Sequence, residues 1–337
     1  MKSPAQSKVR RHRRSVGVLA VTALASSAMT ISLALASGPA QASPSAPAKV
    51  HYRYATINND NDPTFNQLLG INDAGKIAGY FGSGAKGHPN KGYTLTKPYH
   101  QTDFRNQNFP RSKQTQVTGL NNLGIQVGFY STMNTASLAN NNFGYYSING
   151  THFHKVNFPA KHPASPPVDQ LLGVNDSGLA VGFYTDANGH NHGYLFSIRN
   201  HKYISENPPL GSGVTSVTPT GINDSDSVTG FFQNTKGKVR GFLLRKASPH
   251  LIIVNVPGSD STTPFGVNKF GVVVGVYTVG TKNFGFTWSR GHGFQTINDP
   301  NGVGNTFVNG INSAGDLVGF YVGKGGNTNG FVATPRP

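Results

Sequence analysis

The chain of 337 residues contains no cysteine, a single glutamate among its 13 acidic residues, one tryptophan and three methionines. Without cysteine it has no disulfides and no thiol chemistry, so its stability must come from a large apolar core. It also lacks the motifs of a serine nucleophile elbow, a phosphate-binding glycine loop and a zinc protease. What it has instead is 42 glycines and only 12% charged residues, a composition typical of a β-rich, turn-rich protein.

The N-terminal segment has the composition of an export signal. A basic start is followed by the longest apolar run of the chain, residues 16–36, and by an Ala-Gln-Ala sequence that ends at Ala42. This order predicts a secretory signal peptide over residues 1–42, a flexible mature N-terminus over residues 43–50, and a secreted, extracellular bacterial protein. The apolar run is also long enough for an uncleaved membrane anchor, and the paired arginines leave twin-arginine export open beside the Sec route.

The formal charge at pH 7 is +16, and the first 42 residues carry six of the positive charges and no acid, which leaves +10. A basic surface favours anionic partners such as cell-wall polymers, uronic-acid glycans or acidic lipid, although net charge can equally serve solubility alone. Lysine and arginine are spread thinly through the rest of the chain, so no nucleic-acid partner is predicted. We expect a monomer with no stable membrane insertion after signal cleavage.

A twelve-residue sequence motif occurs six times. The first copy reads Gly-Ile-Asn-Asp-Ala-Gly-Lys-Ile-Ala-Gly-Tyr-Phe, and its leading glycine recurs every 44 to 54 residues. The copies occupy residues 70–81, 119–130, 173–184, 221–232, 266–277 and 310–321. A period of this length is typical of four-stranded β-propeller blades, whereas the coils of a parallel β-solenoid, the alternative, are usually shorter.

Each unit can be read as four short antiparallel strands, but the sixth unit has no fourth strand. The missing strand is found at the other end of the chain, where Tyr-Ala-Thr-Ile-Asn at residues 54–58 matches Phe-Gln-Thr-Ile-Asn at residues 294–298. The sequence therefore predicts an all-β, six-bladed β-propeller whose ring is closed by the N-terminal strand completing the last blade. The predicted propeller spans residues 51–334, with blades at about 64–110, 111–159, 160–209, 210–257, 258–300, and 301–334 plus 51–60.

A glycine also recurs in the middle of every predicted second strand. Such a glycine weakens a strand unless another backbone or ring approaches closely, and packing of neighbouring blades is the reason we expect. The six positions are Gly79, Gly128, Gly182, Gly230, Gly275 and Gly319.

The units resemble the HAF repeats of extracellular bacterial proteins, whose signature is similar to Gly-Ile-Asn-Asp-x-Gly-x-Ile-Val-Gly-Tyr-Tyr followed by a Gly-Phe strand. All six units match, over about residues 51–334, with departures at Asp226, which replaces the turn glycine, and at Val276, which replaces the first aromatic. The resemblance implies an exported, propeller-like domain. It implies no catalytic residues, because the family is defined by its repeat and not by an activity.

Propeller geometry sorts the loops onto two faces. Turns between strands one and two, and between strands three and four, are short and repetitive, and they share what we call the repeat face. Loops between strands two and three, and between blades, differ from copy to copy and share the variable face. Binding residues usually lie on such variable loops, and the mouth of the channel is the default pocket.

Acid catalysis is one use of the variable face. A glycosidase needs two carboxyl groups that face one bond, and the candidates are Asp60, Asp169, Asp260 and Asp299. Each is equally explained as a turn or strand cap. The repeated Asp73, Asp176 and Asp224 are interpreted as turn residues.

Ligand binding is the other use of this face. The candidate residues are Asp62, Lys86, His88, His162, Asp186, His190 and His192. The segment from Asp186 to His192 could hold a metal through imidazole and carboxylate, but its Asn-Gly pair fits a hairpin turn better. No metal site and no cofactor is therefore predicted.

Three functions remain open. The sequence favours a secreted, non-catalytic binding or interaction module for glycans of a cell wall or extracellular matrix, anionic ones included. An alternative is a polysaccharide hydrolase or lyase that uses the variable face, with a tyrosine or histidine as base in the lyase. A structural exoprotein with no dedicated ligand is the second alternative.

Overall fold

The computed structural model describes residues 49–134, 140–205, 210, 213–246 and 248–336. The predicted signal peptide and nearly all of the predicted flexible N-terminus lie outside the described residues. Within them the chain forms 24 β-strands and one short 3-10 helix at Gln101–Asp103. None of the helical structure in these ranges is long and apolar enough to cross a bilayer.

The strands form six separate four-stranded antiparallel sheets, each a blade. Five blades are continuous in sequence: β2 to β5, β6 to β9, β10 to β13, β14 to β17 and β18 to β21. Their bounds are β2 (Asn66–Ile71), β3 (Ile77–Phe81), β4 (Lys91–Leu95), β5 (Phe104–Asn106), β6 (Gln114–Leu120), β7 (Ile125–Ser131), β8 (Phe143–Ile148), β9 (His152–Val156), β10 (Asp169–Val174), β11 (Leu179–Thr185), β12 (Asn191–Ser197), β13 (Lys202–Ser205), β14 (Val214–Ile222), β15 (Val228–Asn234), β16 (Val239–Arg245), β17 (Ser248–Val254), β18 (Ser261–Val267), β19 (Val273–Val279), β20 (Lys282–Ser289) and β21 (Gly293–Ile297).

The sixth blade joins the two ends of the chain. Its inner strands are β22 (Thr306–Ile311), β23 (Leu317–Val322) and β24 (Thr328–Pro335), and its outer strand is β1 (Tyr52–Thr56), paired antiparallel with β24. Beyond the strand, the Gly330 backbone N–H donates to Asn58 Oδ1 at 3.0 Å, as the Gly92 N–H donates to Asn108 in blade 1. The predicted six-bladed propeller and its closure by the N-terminal strand are confirmed.

The turn between strands one and two depends on its asparagine. In blade 2 the Asn121 Oδ1 accepts the backbone N–H groups of Leu123 and Ile125, and its Nδ2 donates to the Asn175 carbonyl of blade 3 at 3.0 Å. The equivalent donation recurs at all six junctions, over 2.9 to 3.3 Å, and links Asn72, Asn121, Asn175, Asn223, Asn268 and Asn312 into a closed circle. One repeated residue therefore shapes the turn and joins the blades.

The aspartates that follow this asparagine have the structural role expected of them. Asp73 Oδ1 accepts the backbone N–H of Ser313, and the Asp176 and Asp224 carboxylates accept backbone N–H groups of the preceding blades, all at 2.8 Å. Asp226 replaces the turn glycine and still adopts φ 54°. Its carboxylate accepts hydrogen bonds from Asn175 Nδ2 and Lys246 Nζ.

The recurrent glycines have two different structural roles. The leading glycine of each unit lies on the innermost strand, where an added Cβ would come within 2.8 to 3.2 Å of the next blade's backbone, as at Gly70 and Gly221. A Cβ at the mid-strand Gly79 would instead meet the carbonyl of Gln67 and the ring of Tyr93, both in its own blade. The expectation that Gly79 and its equivalents serve blade-to-blade packing is therefore wrong. They lie opposite a bulge in β2, and the leading glycines make the close contact between blades.

Candidate functional site

The central channel is too small to be the main site. First-strand residues of all six blades enclose about 110 Å³ around the axis, and the repeated asparagine turns enclose about 70 Å³ at the repeat face. The ring of leading glycines brings the backbones together there. The channel was the default pocket from the sequence, but a larger cleft of about 780 Å³ lies off the axis, in blade 1.

This cleft occupies a position that recurs in other blades. A residue at the end of strand two, a second on strand three and a third on strand four form three sides of a recess, which we call the aromatic notch. In blade 1 the notch consists of Phe81, Tyr93 and Phe104, with Tyr93 and Phe104 edge to face at 4.8 Å. Its equivalents are Tyr130, Tyr145 and Phe153 in blade 2, and Tyr184, Tyr194 and Tyr203 in blade 3.

In blades 2 and 3 a phenylalanine fills the notch. Phe109, from the connection that enters blade 2, stacks on Tyr130 with ring centroids 3.8 Å apart and contacts the other two rings at 5.6 and 5.7 Å. Phe158 contacts all three rings of blade 3 at 4.6 to 5.5 Å. In blade 5 the smaller Val256 packs against the equivalent cluster. We call this position, one residue after the asparagine that follows strand four, the plug.

Blade 1 has Asn59 at the plug position, and its notch is open. The side chain of Asn59 turns onto its own loop, where Oδ1 accepts from the backbone and side chain of Asn61 at 2.9 and 2.8 Å. The Asn59 backbone N–H donates to the buried Asn66, whose Nδ2 donates to the Asp62 carbonyl. The loop is thus held by buried polar contacts, while Phe81 and Phe104 stay partly exposed beside the buried Tyr93.

The rim of the cleft carries an aspartate–histidine pair. Asp62 is 6% exposed and accepts from Thr64 Oγ1 at 2.6 Å and from His88 Nδ1 at 2.7 Å. Burial by itself would raise the pKa of Asp62, but the hydrogen bonds from Thr64 and His88 outweigh it and lower that pKa. Since Asp62 is ionised, the Nδ1 of His88 carries the donated proton. The pair joins the loop after β3 to the connection that enters blade 1.

Three of the residues singled out in the sequence therefore meet in one cleft: Asp60, Asp62 and His88. The rest of the rim is rich in amides and includes Lys91. Lys86 lies on the same loop as His88 and is exposed, but it does not line the cleft.

The Asp186 segment forms a separate polar turn in blade 3. Asp186 accepts the backbone N–H groups of Asn188 and His190 and the Nε2 of His192 at 3.0 Å, and His162 contributes a backbone carbonyl to Ala187. Burial acts to raise the pKa of Asp186, but these hydrogen bonds, that of His192 above all, lower it to about 2. Among the described residues no three His, Asp or Glu side chains are placed to hold a metal.

Asp169 is buried and holds the fold of blade 3. It accepts the Tyr194 hydroxyl at 2.6 Å and the Phe158 backbone N–H at 2.7 Å. In other blades the same position is Asn66, Thr115, Thr262 or Thr306, and each accepts the N–H of its plug residue. Asp169 is thus a variant of a repeated capping residue, which agrees with its alternative interpretation as a strand cap.

The remaining two acids lie apart from the cleft. Asp260 is exposed and accepts the Gly280 backbone N–H at 2.7 Å. Asp299 occupies the plug position of blade 6 and is 2% exposed. It accepts the Asn301 N–H, while its Oδ2 has no hydrogen-bond partner among the described residues. Burial raises the pKa of Asp299. Asp60, Asp169, Asp260 and Asp299 are attached to four different blades, and the cleft contains Asp60 alone among them.

Sequence reasoning missed the aromatic floor and the plug. Phe81, Tyr93 and Phe104 belong to repeated strand positions and were not among the candidate residues. The signal was nevertheless present, because aligning the units puts Phe109, Phe158 and Val256 in one column with the polar Asn59 and Asp299.

No protein-family model matches the chain, and no curated protein matches it. Among solved structures, a putative TolB from Agrobacterium tumefaciens superposes with a TM-score of 0.53 at 11% identity, over 86% of this chain and 100% of that one. The six-bladed lectin of Aleuria aurantia has a TM-score of 0.48 at 11% identity, over 80% and 93%. The virginiamycin B lyase of Staphylococcus aureus has 0.43 at 10%, over 83% and 88%. The first likeness shows a propeller fold, and at these identities none indicates a ligand or an activity.

Proposed function

We propose that this protein is an exported, HAF-type propeller that binds glycans of a cell wall or extracellular matrix without cleaving them. The observation that carries the proposal is the uncovered aromatic notch of blade 1, where Asn59 stands in place of a phenylalanine. Ligand pockets combine apolar and aromatic walls with a few placed polar groups, and this cleft has both. A pyranose ring likewise presents C–H bonds on its faces and hydroxyl groups at its edge.

A second candidate is a polysaccharide lyase, favoured by the contact between Asp62 and His88 at the rim. A histidine oriented by a buried carboxylate can act as a base. A hydrolase has less support, because a glycosidase needs a carboxyl with a raised pKa facing its partner. Among the described acids, Asp169 and Asp299 have a raised pKa but lie outside the cleft, whereas the pKa of Asp62 is lowered.

The substitution Asn59→Phe tests the proposal. We expect the new ring to fill the blade 1 notch as Phe109 fills that of blade 2, so glycan retention should fall at least about tenfold. The measurement is a polysaccharide pull-down and glycan array with residues 43–337. Asn59→Ser, which keeps a small polar side chain, is the matched control and should retain binding.

Two results would oppose this account. Equal retention by wild type and Asn59→Phe would place binding outside the notch. Release of new reducing ends without unsaturated sugars would establish a hydrolase, and release of unsaturated sugars that is lost in His88→Ala would establish a lyase.

A further inference from the structure

We propose that the blade 1 cleft takes an uncharged sugar residue, and that anionic polymers are not its ligands. The inference rests on the proposed glycan-binding function and names the ligand class. It runs against the net charge of the protein, which is +16 for the full chain. The local charges of the cleft lead to it.

The lining of the cleft does not share the positive net charge of the protein. Its lining contains two carboxylates, Asp60 and Asp62, one ammonium group, Lys91, and one imidazole, His88. With His88 neutral the lining has a formal charge of −1, and with His88 protonated it is 0. A polyanion drawn by the overall positive field would therefore gain no attraction inside the cleft.

The positions of these groups leave two accessible charges of opposite sign. Asp62 is buried and is neutralised locally whenever His88 gains a proton, because the two are hydrogen bonded at 2.7 Å. Lys91 keeps its positive charge at the junction with blade 2, where Nζ lies 3.4 Å from the Lys113 carbonyl. Asp60 is exposed at the rim, where its backbone N–H donates to Gln101. The lining therefore offers an entering ligand the carboxylate of Asp60 and no excess of positive charge.

A carboxylate at this place selects against ligands of its own sign. It accepts hydrogen bonds from sugar hydroxyl groups, and such charge-assisted bonds are stronger than neutral ones. A uronate or sulfate would have to approach a like charge, which at a partly exposed site weakens binding by roughly tenfold. The aromatic floor of Phe81 and Phe104 contacts an uncharged ring without a charge penalty.

The test compares matched neutral and acidic oligosaccharides by calorimetry and by saturation-transfer NMR. The probes are cello- and xylo-oligosaccharides beside oligogalacturonates of the same length. We expect a neutral oligosaccharide to bind with an affinity that changes less than about twofold between low and high salt, and to lose at least about tenfold in Asn59→Phe. Oligogalacturonate retention should fall steeply with salt and be unaffected by Asn59→Phe. Asp60→Lys should raise oligogalacturonate affinity, and Asp60→Asn, as the charge-removing control, should raise it less.

Two outcomes would overturn the inference. Oligogalacturonate binding that is tighter than neutral binding and is lost in Asn59→Phe would assign the cleft to anionic glycans, with the proposed function intact. If no glycan of either class responds to Asn59→Phe, the proposed function fails, and the inference fails with it. Folding of each variant is checked by its unfolding midpoint.

Discussion

At the residue scale, side-chain size and polarity at the plug position decide whether a notch is filled. Phe109 and Phe158 each contact three rings and close their blades, whereas Asn59 directs its amide to Asn61. A ring of this size contributes about 2 to 3 kcal/mol through burial, so leaving the notch open forgoes stability in blade 1. The residue at the plug position therefore either completes the core of its blade or leaves a cleft open.

Asp169, at the capping position beside the plug, should make the stability of the protein depend on pH. Burial raises the pKa of Asp169 from 3.8 to about 7, against the opposing hydrogen bonds of Tyr194 and Phe158. Between these two pH values the folded state keeps a proton that the unfolded chain releases, so this residue's contribution to stability falls as pH rises from about 4 to about 7. Below and above that window its contribution is constant.

The substitution Asp169→Asn checks this, because Asn66 fills the same position in blade 1. The free energy of unfolding of wild type, relative to the variant, should fall by up to about 4 kcal/mol across the window. Denaturant titrations of both proteins at several pH values measure the difference. Parallel curves for the two proteins would show that Asp169 titrates normally.

At the scale of one element, the asparagine turn combines local and long-range bonding. Replacing Asn121 by alanine removes acceptors for two N–H groups and a donor to blade 3, and should lower the free energy of unfolding by about 2 to 4 kcal/mol. Asn121→Asp keeps the acceptor oxygen and replaces the donor by a carboxylate oxygen that faces the Asn175 carbonyl. It should retain the turn and weaken the junction. Equal unfolding midpoints for Asn121→Ala and wild type would mean that the circle of asparagines is not stabilising.

The elements were predictable from the sequence where local rules repeat. The asparagine and the mid-strand glycine recur six times and the turn glycine five times, so turn and strand positions could be averaged over copies. The reason for the mid-strand glycine was not accessible, because a Cβ at Gly79 is excluded by the bulge in β2, which only register reveals. The open notch was missed because Phe104 and Asn59 are 45 residues apart in sequence and line one cleft only in the folded blade.

At the scale of the whole molecule, a nearly symmetric ring carries an asymmetric site. Blade 1 receives its entering connection from β1, the strand that closes the ring, and the open notch lies beside that junction. Connections inside the ring supply Phe109, Phe158 and Val256 as plugs of blades 2, 3 and 5, and the buried Asp299 at the plug position of blade 6. The cleft is formed where the closing junction brings the polar Asn59 to that position.

The most direct test of the account is a crystal structure of the protein with a bound neutral oligosaccharide, beside the same soak of Asn59→Phe. We expect one sugar ring against Phe81 and Phe104 with a hydroxyl group on Asp60, and in the variant a notch filled by the new phenylalanine and without bound sugar. A ligand seated in the channel, on the Asp186 turn or unchanged in Asn59→Phe would contradict it.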